Sequence, residues 1–169
     1  GIGCTANMLG NINLVIGDYS EAIKLYTYVL GIQTNDPAIN ASAHFGMGES
    51  YYFKNKLKKA ENCFDRYESV SVGDVKENLY FNIMINLIYK KYGDIVDAST
   101  LENLINEKKE ISYDNYFLLY QVLGDEDYLK RALEALNDEL ENVDMKSKKI
   151  FKTYPIPKQI LELNNSLSS

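Results

Sequence analysis

ANMLGNINLVIGDYSEAIKLYTYVL, residues 6–30, sets the pattern from which the rest of the chain is read. Its apolar residues recur at helical spacing, as one unit in an array of repeated helix pairs. A second copy follows as AHFGMGESYYFKNKLKKAENCFDRYESV, residues 43–70, and the register between copies is 38 residues. Ala22, Ala60 and Ala98 fall on that period, as do three residues suited to starting helices, Asp36, Asp74 and Ser112. No single helix pair can bury its own apolar stripe, so pairs must stack, and three or more are expected.

The caps set the expected boundaries. Asp36-Pro37 places a capping carboxylate beside the residue favoured at the first helical position, and Asp74 and Ser112 repeat the cap without the proline. Helices are predicted near 37–54, 75–92 and 112–123, paired with helices near 57–70, 96–109 and 126–142. Gly31, Gly73 and Gly93 mark loops. The fold class expected is all-α, an α-α superhelix of stacked antiparallel helix pairs. Four pairs are expected near 1–33, 36–70, 74–109 and 112–142, the first of them truncated in a longer protein, forming one structural unit over 1–143. Residues 144–169 are expected to cap the stack, with Pro155 and Pro157 forcing an extended step and Phe151, Ile156, Ile160 and Leu161 supplying apolar groups.

The units resemble the tetratricopeptide repeat (TPR). Leu9, Gly10, Gly17, Asp18, Tyr19, Ala22 and Tyr26 stand at that motif's spacings in the first unit, and Met47, Gly48, Tyr51, Leu57, Ala60 and Phe64 in the second. Asn13 departs where an aromatic is usual. The third unit, residues 83–105, keeps Ile85, Tyr89, Gly93, Ile95 and Ala98 but has Asn86 for the small residue and Glu102 for the second-helix aromatic. The fourth, residues 116–136, aligns Leu119, Leu123, Leu129, Ala132 and Leu136. The end of the chain resembles the closing stretch of TPR arrays in bacterial multidomain signalling proteins through Phe151, Pro155 or Pro157, Ile160 and Leu161.

The resemblance implies that the first helix of each pair lines a concave groove. The groove candidates are then Asn7, Asn11 and Leu14, next Phe45, Glu49 and Tyr52, and then Ile83, Leu87 and Lys90. Amide, aromatic and aliphatic groups together suit an extended peptide, with Tyr52 and Asn11 as expected anchors. A lysine-rich clamp for acidic peptide tails is not expected, because Phe45 and Ile83 hold groove positions. Later helices or the tail covering the groove is the alternative.

Composition narrows the function. The chain has 24 acidic against 18 basic residues, a net charge of −6, and so lacks the basic footprint of a nucleic-acid binder. Its 46% hydrophobic fraction is ordinary, and no apolar run approaches the roughly 18 residues that suggest a membrane span. Cys4 and Cys63 are too few for a disulfide framework or zinc site, and a reducing, cytoplasmic setting fits. His44 is the only histidine. It reads as a packed core residue or a functional one, Cys63 as a buried small hydrophobe or a reactive thiol. Gly46 marks close packing or the approach of a ligand. No catalytic constellation, cofactor or metal is expected. The function expected is a non-enzymatic protein or peptide interaction domain within a larger cytoplasmic signalling or regulatory protein, with no nucleic-acid or membrane partner. The alternative is a peptide-gated sensor relaying a signal to an effector domain upstream.

Overall fold

A computed structural model describes residues 1–32 and 36–167. The end of the first expected helix pair, at residue 33, and the last two residues of the tail lie outside the described residues. Among the described residues the chain is all-α, about 80% helical, with ten α-helices and no strand. It divides into two compact units, Gly1–Glu77 and Asn78–Ser169, where the repeat alone predicts one.

The first unit contains α1 (Ile2–Ile16), α2 (Tyr19–Gly31), α3 (Pro37–Phe53) and α4 (Leu57–Val70). Each helix packs on the next, and α1 also packs on α3. Asp18 and Asp36 begin α2 and α3, their carboxylates accepting from the backbone N–H of Glu21 and of Ala38 and Ile39. The second unit contains α5 (Leu79–Tyr92), α6 (Ala98–Asn106), α7 (Tyr113–Leu123), α8 (Glu126–Glu141), α9 (Met145–Phe151) and α10 (Pro155–Leu167). Here α5 packs on α6 and α7, α7 on α8, and α10 on α8 and α7.

The 38-residue period is written most plainly in the turns. Gly17, Asn55 and Gly93 all have left-handed backbones, with φ of 90°, 56° and 81°. At each turn the next amide reaches back over the helix end: Asp18 N–H to Asn13 C=O, Lys56 N–H to Tyr51 C=O and Asp94 N–H to Tyr89 C=O, at 2.8, 2.8 and 2.9 Å. These bonds satisfy carbonyls that the helix leaves without partners, and reverse the chain in one tight step. Asn55 does the work of glycine because its short polar side chain tolerates this conformation.

Packing follows the same period. Tyr26 of α2 is fully buried, its ring wedged between two glycines. A Cβ on Gly10 of α1 would lie 2.6 Å from its Cε1, and one on Gly46 of α3 only 2.3 Å from its Cζ. The phenol is not orphaned, since it donates to Asn11 Oδ1 at 2.8 Å. Thirty-eight residues on, Phe64 of α4 lies against Gly48 of α3, where a Cβ would come within 2.8 Å of its ring. The close approach of Gly46 is therefore to an aromatic of the chain itself.

Several expectations need correction in the second unit. Ala22 and Ala60 are the fourth residues of α2 and α4 and are fully buried, but Ala98 is the first residue of α6 and only half-buried. The fourth place belongs to Leu101, at 0% exposure. The helix after the left-handed turn starts at Tyr19 and Leu57, two residues past Gly17 and Asn55, yet at Ala98 it starts five past Gly93. Ile95, which keeps the place of Leu57 in the period, is consequently 93% exposed. Asn86 explains how the longer loop is held: in place of the glycine, its buried amide accepts from Asp97 N–H at 2.7 Å. Glu102, in place of the aromatic, faces solvent.

Asp74 does not start α5. It accepts from Lys76 N–H in a short 3₁₀ turn, Val75–Glu77, and Asn78 caps α5 through Phe81 N–H. The tail forms two helices, and the expected extended step at Pro155 and Pro157 is absent. Pro155 and Pro157 fall in the first turn of α10, where a backbone N–H has no helical partner to lose. Ile160 of α10 is fully buried and Phe151 meets Tyr113 edge-on with ring centroids 6.0 Å apart.

Candidate binding surfaces

The nine residues expected to line a groove divide into buried, bonded and accessible groups. Ile83 and Leu87 are 0% and 3% exposed, Tyr52 and Glu49 both 5%. These four are enclosed side chains and do not line an open groove. A first helix covered on more than one side has no face to spare, and α3 buries Ala41, Ala43, Gly46, Gly48, Glu49, Ser50 and Tyr52 in one stretch. Burial pushes the Tyr52 phenol up to about 12. Tyr26 is raised further, by burial first and the Glu49 carboxylate second.

Asn7, also buried, donates to Ser42 Oγ at 2.8 Å and so ties α1 to α3; its Oδ1 has no hydrogen-bond partner among the described residues. Asn11 is exposed, but its oxygen accepts the Tyr26 hydroxyl. Leu14 packs half-buried on the core around Tyr26. Phe45 lies edge-on to Phe64 and Tyr67, at 5.4 and 4.9 Å between centroids. Lys90 is exposed, with its ammonium on the Gln121 and Val122 carbonyls at 2.8 and 2.9 Å, where it neutralises the end of α7. The nine residues therefore serve mainly as fasteners between helices.

Two accessible features of the first unit remain. A crevice of about 660 Å³ is lined by Leu30, His44, Met47, Asn62, Cys63, Asp65, Arg66 and Ser69. Burial first and the Arg66 charge second lower the pKa of His44, so the imidazole stays neutral near pH 7. Burial raises the Cys63 thiol to about 11 despite the nearby Lys59, which makes it a poor nucleophile. These shifts favour the structural readings of both residues.

The other feature is α1. Fifteen residues, IGCTANMLGNINLVI, contain no charged side chain. Gly3, Ala6, Asn7 and Gly10 are buried, while Ile2, Met8, Leu9, Ile12, Val15 and Ile16 are 70, 60, 46, 55, 51 and 43% exposed. Residues this apolar, on the face opposite the buried stripe, form a contiguous patch of the kind that marks interaction sites. Sequence periodicity alone could not find it, because α1 is apolar nearly all round and only the structure tells the covered side from the open one.

Among the described residues, no helix is long and apolar enough to cross a membrane, and no group of three or more His, Cys, Asp or Glu side chains could hold a metal ion. Comparison with protein-family models, with curated proteins and with solved structures gives no match to the chain.

Proposed function

We infer that the chain is a non-enzymatic protein or peptide interaction module of the TPR type, serving a larger signalling or regulatory protein. The observation that carries this reading is the uncharged, solvent-facing apolar side of α1 on a scaffold whose turns and glycine–aromatic contacts repeat every 38 residues. A scaffold of this kind presents side chains at fixed spacings, and an apolar patch held on a rigid helix loses little entropy on binding. Two free thiols, Cys4 exposed and Cys63 buried, are consistent with a reducing cytoplasm. Panning a displayed random-peptide library against the 169-residue chain tests the reading. Enriched sequences, synthesised as free peptides, should bind the folded chain and shift amide resonances of the first unit. Failure of every enriched peptide to bind the folded chain in solution would reject it.

A further inference from the structure

Helix α3 shows what covers this face when it is occupied. Its side toward α2 is a row of small residues. Ala43 packs with Ala22, Tyr26 and Val29, Gly46 receives the Tyr26 ring, and Ser50 is fully buried with its hydroxyl turned back onto the Gly46 carbonyl. Subtracting the 38-residue period places Thr5, Met8 and Ile12 at the same three positions of α1. All three are exposed. Leu9, the counterpart of the half-buried Met47, is exposed beside them. The open face of α1 is thus a continuation of the surface by which α3 receives a helix.

We propose that this face docks an amphipathic helix from outside residues 1–169, laid across α1 as α2 is laid across α3, with a small residue where α2 carries Tyr26. The proposal rests on the interaction-module reading and specifies the partner. The size inversion is what selects the residue. On α3 the glycine is the hole and the aromatic the knob, so the helices approach closely; on α1 Met8 is itself the knob and needs a hole opposite. A second copy of the chain is a poor occupant on the same ground. It would offer Thr5, Met8 and Ile12 again, large against large, and would bring together two chains of net charge −6. The absence of charge along α1 further selects a partner helix whose contacting stripe is uncharged, since any carboxylate or ammonium buried there would find no counter-ion.

Stapled helical peptides spanning residues 18–32 are suitable probes, one in the native sequence and one carrying Tyr26→Ala. The Tyr26→Ala peptide should bind the 169-residue chain about tenfold more tightly than the native peptide, and Met8→Glu in the chain should weaken it by at least about tenfold. Converting the knob with Met8→Ala should reverse the preference between peptides. Circular dichroism checks that the variants stay folded, with Ile12→Glu as a second charge on the same face. The proposal is overturned if the Tyr26→Ala peptide does not bind, or if Met8→Ala leaves the preference unchanged. Sedimentation showing a dimer that Met8→Glu dissociates would also overturn it, in favour of a second copy. Library peptides that bind regardless of Met8→Glu would overturn this site while leaving the interaction function standing.

Discussion

Gly46→Ala should destabilise the chain, which is the opposite of what helix propensity predicts. In the middle of a helix, alanine is favoured over glycine by about 1 kcal/mol. At Gly46, however, the new Cβ would sit 2.3 Å from Tyr26 Cζ and 2.4 Å from its hydroxyl oxygen. The ring has no room to retreat, because the Gly10 backbone of α1 confines it too, with only 2.6 Å from a Cβ there to Cε1. Overpacking of this kind costs roughly 1–3 kcal/mol. After the propensity gain of about 1 kcal/mol, a net loss of up to about 2 kcal/mol is expected, which lowers the urea midpoint by up to about one molar for a typical m-value. Urea titration followed by circular dichroism measures it. The same substitution in a Tyr26→Leu background, where the ring is gone, should be neutral or stabilising, so the pair should couple by at least about 1 kcal/mol. A Gly46→Ala protein more stable than its parent, or an identical effect in both backgrounds, would refute the wedge as the basis of the first unit's packing.

Three further outcomes follow. The His44 pKa is lowered from 6.5, so the unfolded chain binds more protons near that value; the stability from this group is fully present above 6.5 and is lost as pH falls through the folded pKa. His44→Gln should flatten that part of the stability profile, and the single histidine makes the folded pKa measurable by NMR titration. Iodoacetamide should modify the exposed Cys4 first, since a Cys63 thiol raised to about 11 is only about one-thousandth thiolate at pH 8; stoichiometric labelling of both in the native chain would contradict its burial. Ile160→Ala, at a fully buried site of α10, should cost about 2–5 kcal/mol by urea titration, whereas an unchanged midpoint would show that the tail does not seal the second unit.

Much of the fold is legible in the sequence because caps and turns are local chemistry. Asp36 with Pro37 and the glycine at 93 each act through a backbone group within a few residues, and the helices begin and end within a few residues of the expected places. Asn55 was hidden because asparagine enters left-handed turns only some of the time, and its role shows only beside its partners 38 residues away. Ala98 misled for the complementary reason: a residue can keep the period while a longer loop moves the helix beneath it. The binding surface was the least legible part. Apolar spacing says that Ile83, Leu87 and Tyr52 face something, but whether that is a groove or a neighbouring helix depends on contacts remote in sequence. The covering of Ala43, Gly46 and Ser50, against the exposure of Thr5, Met8 and Ile12, is a fact of stacking and not of periodicity.

Methionine-methyl NMR tests the central claim most directly. The chain has four methionines: Met8 on the open face of α1, Met47 half-buried at the α2–α3 core, Met84 fully buried in α5 and Met145 exposed at the start of α9. On adding the stapled Tyr26→Ala peptide, the Met8 methyl should shift or broaden in proportion to occupancy, while Met84 and Met145 stay where they are. A peptide that binds without moving Met8, or that moves Met145 equally, would contradict the assignment of α1 as the docking face.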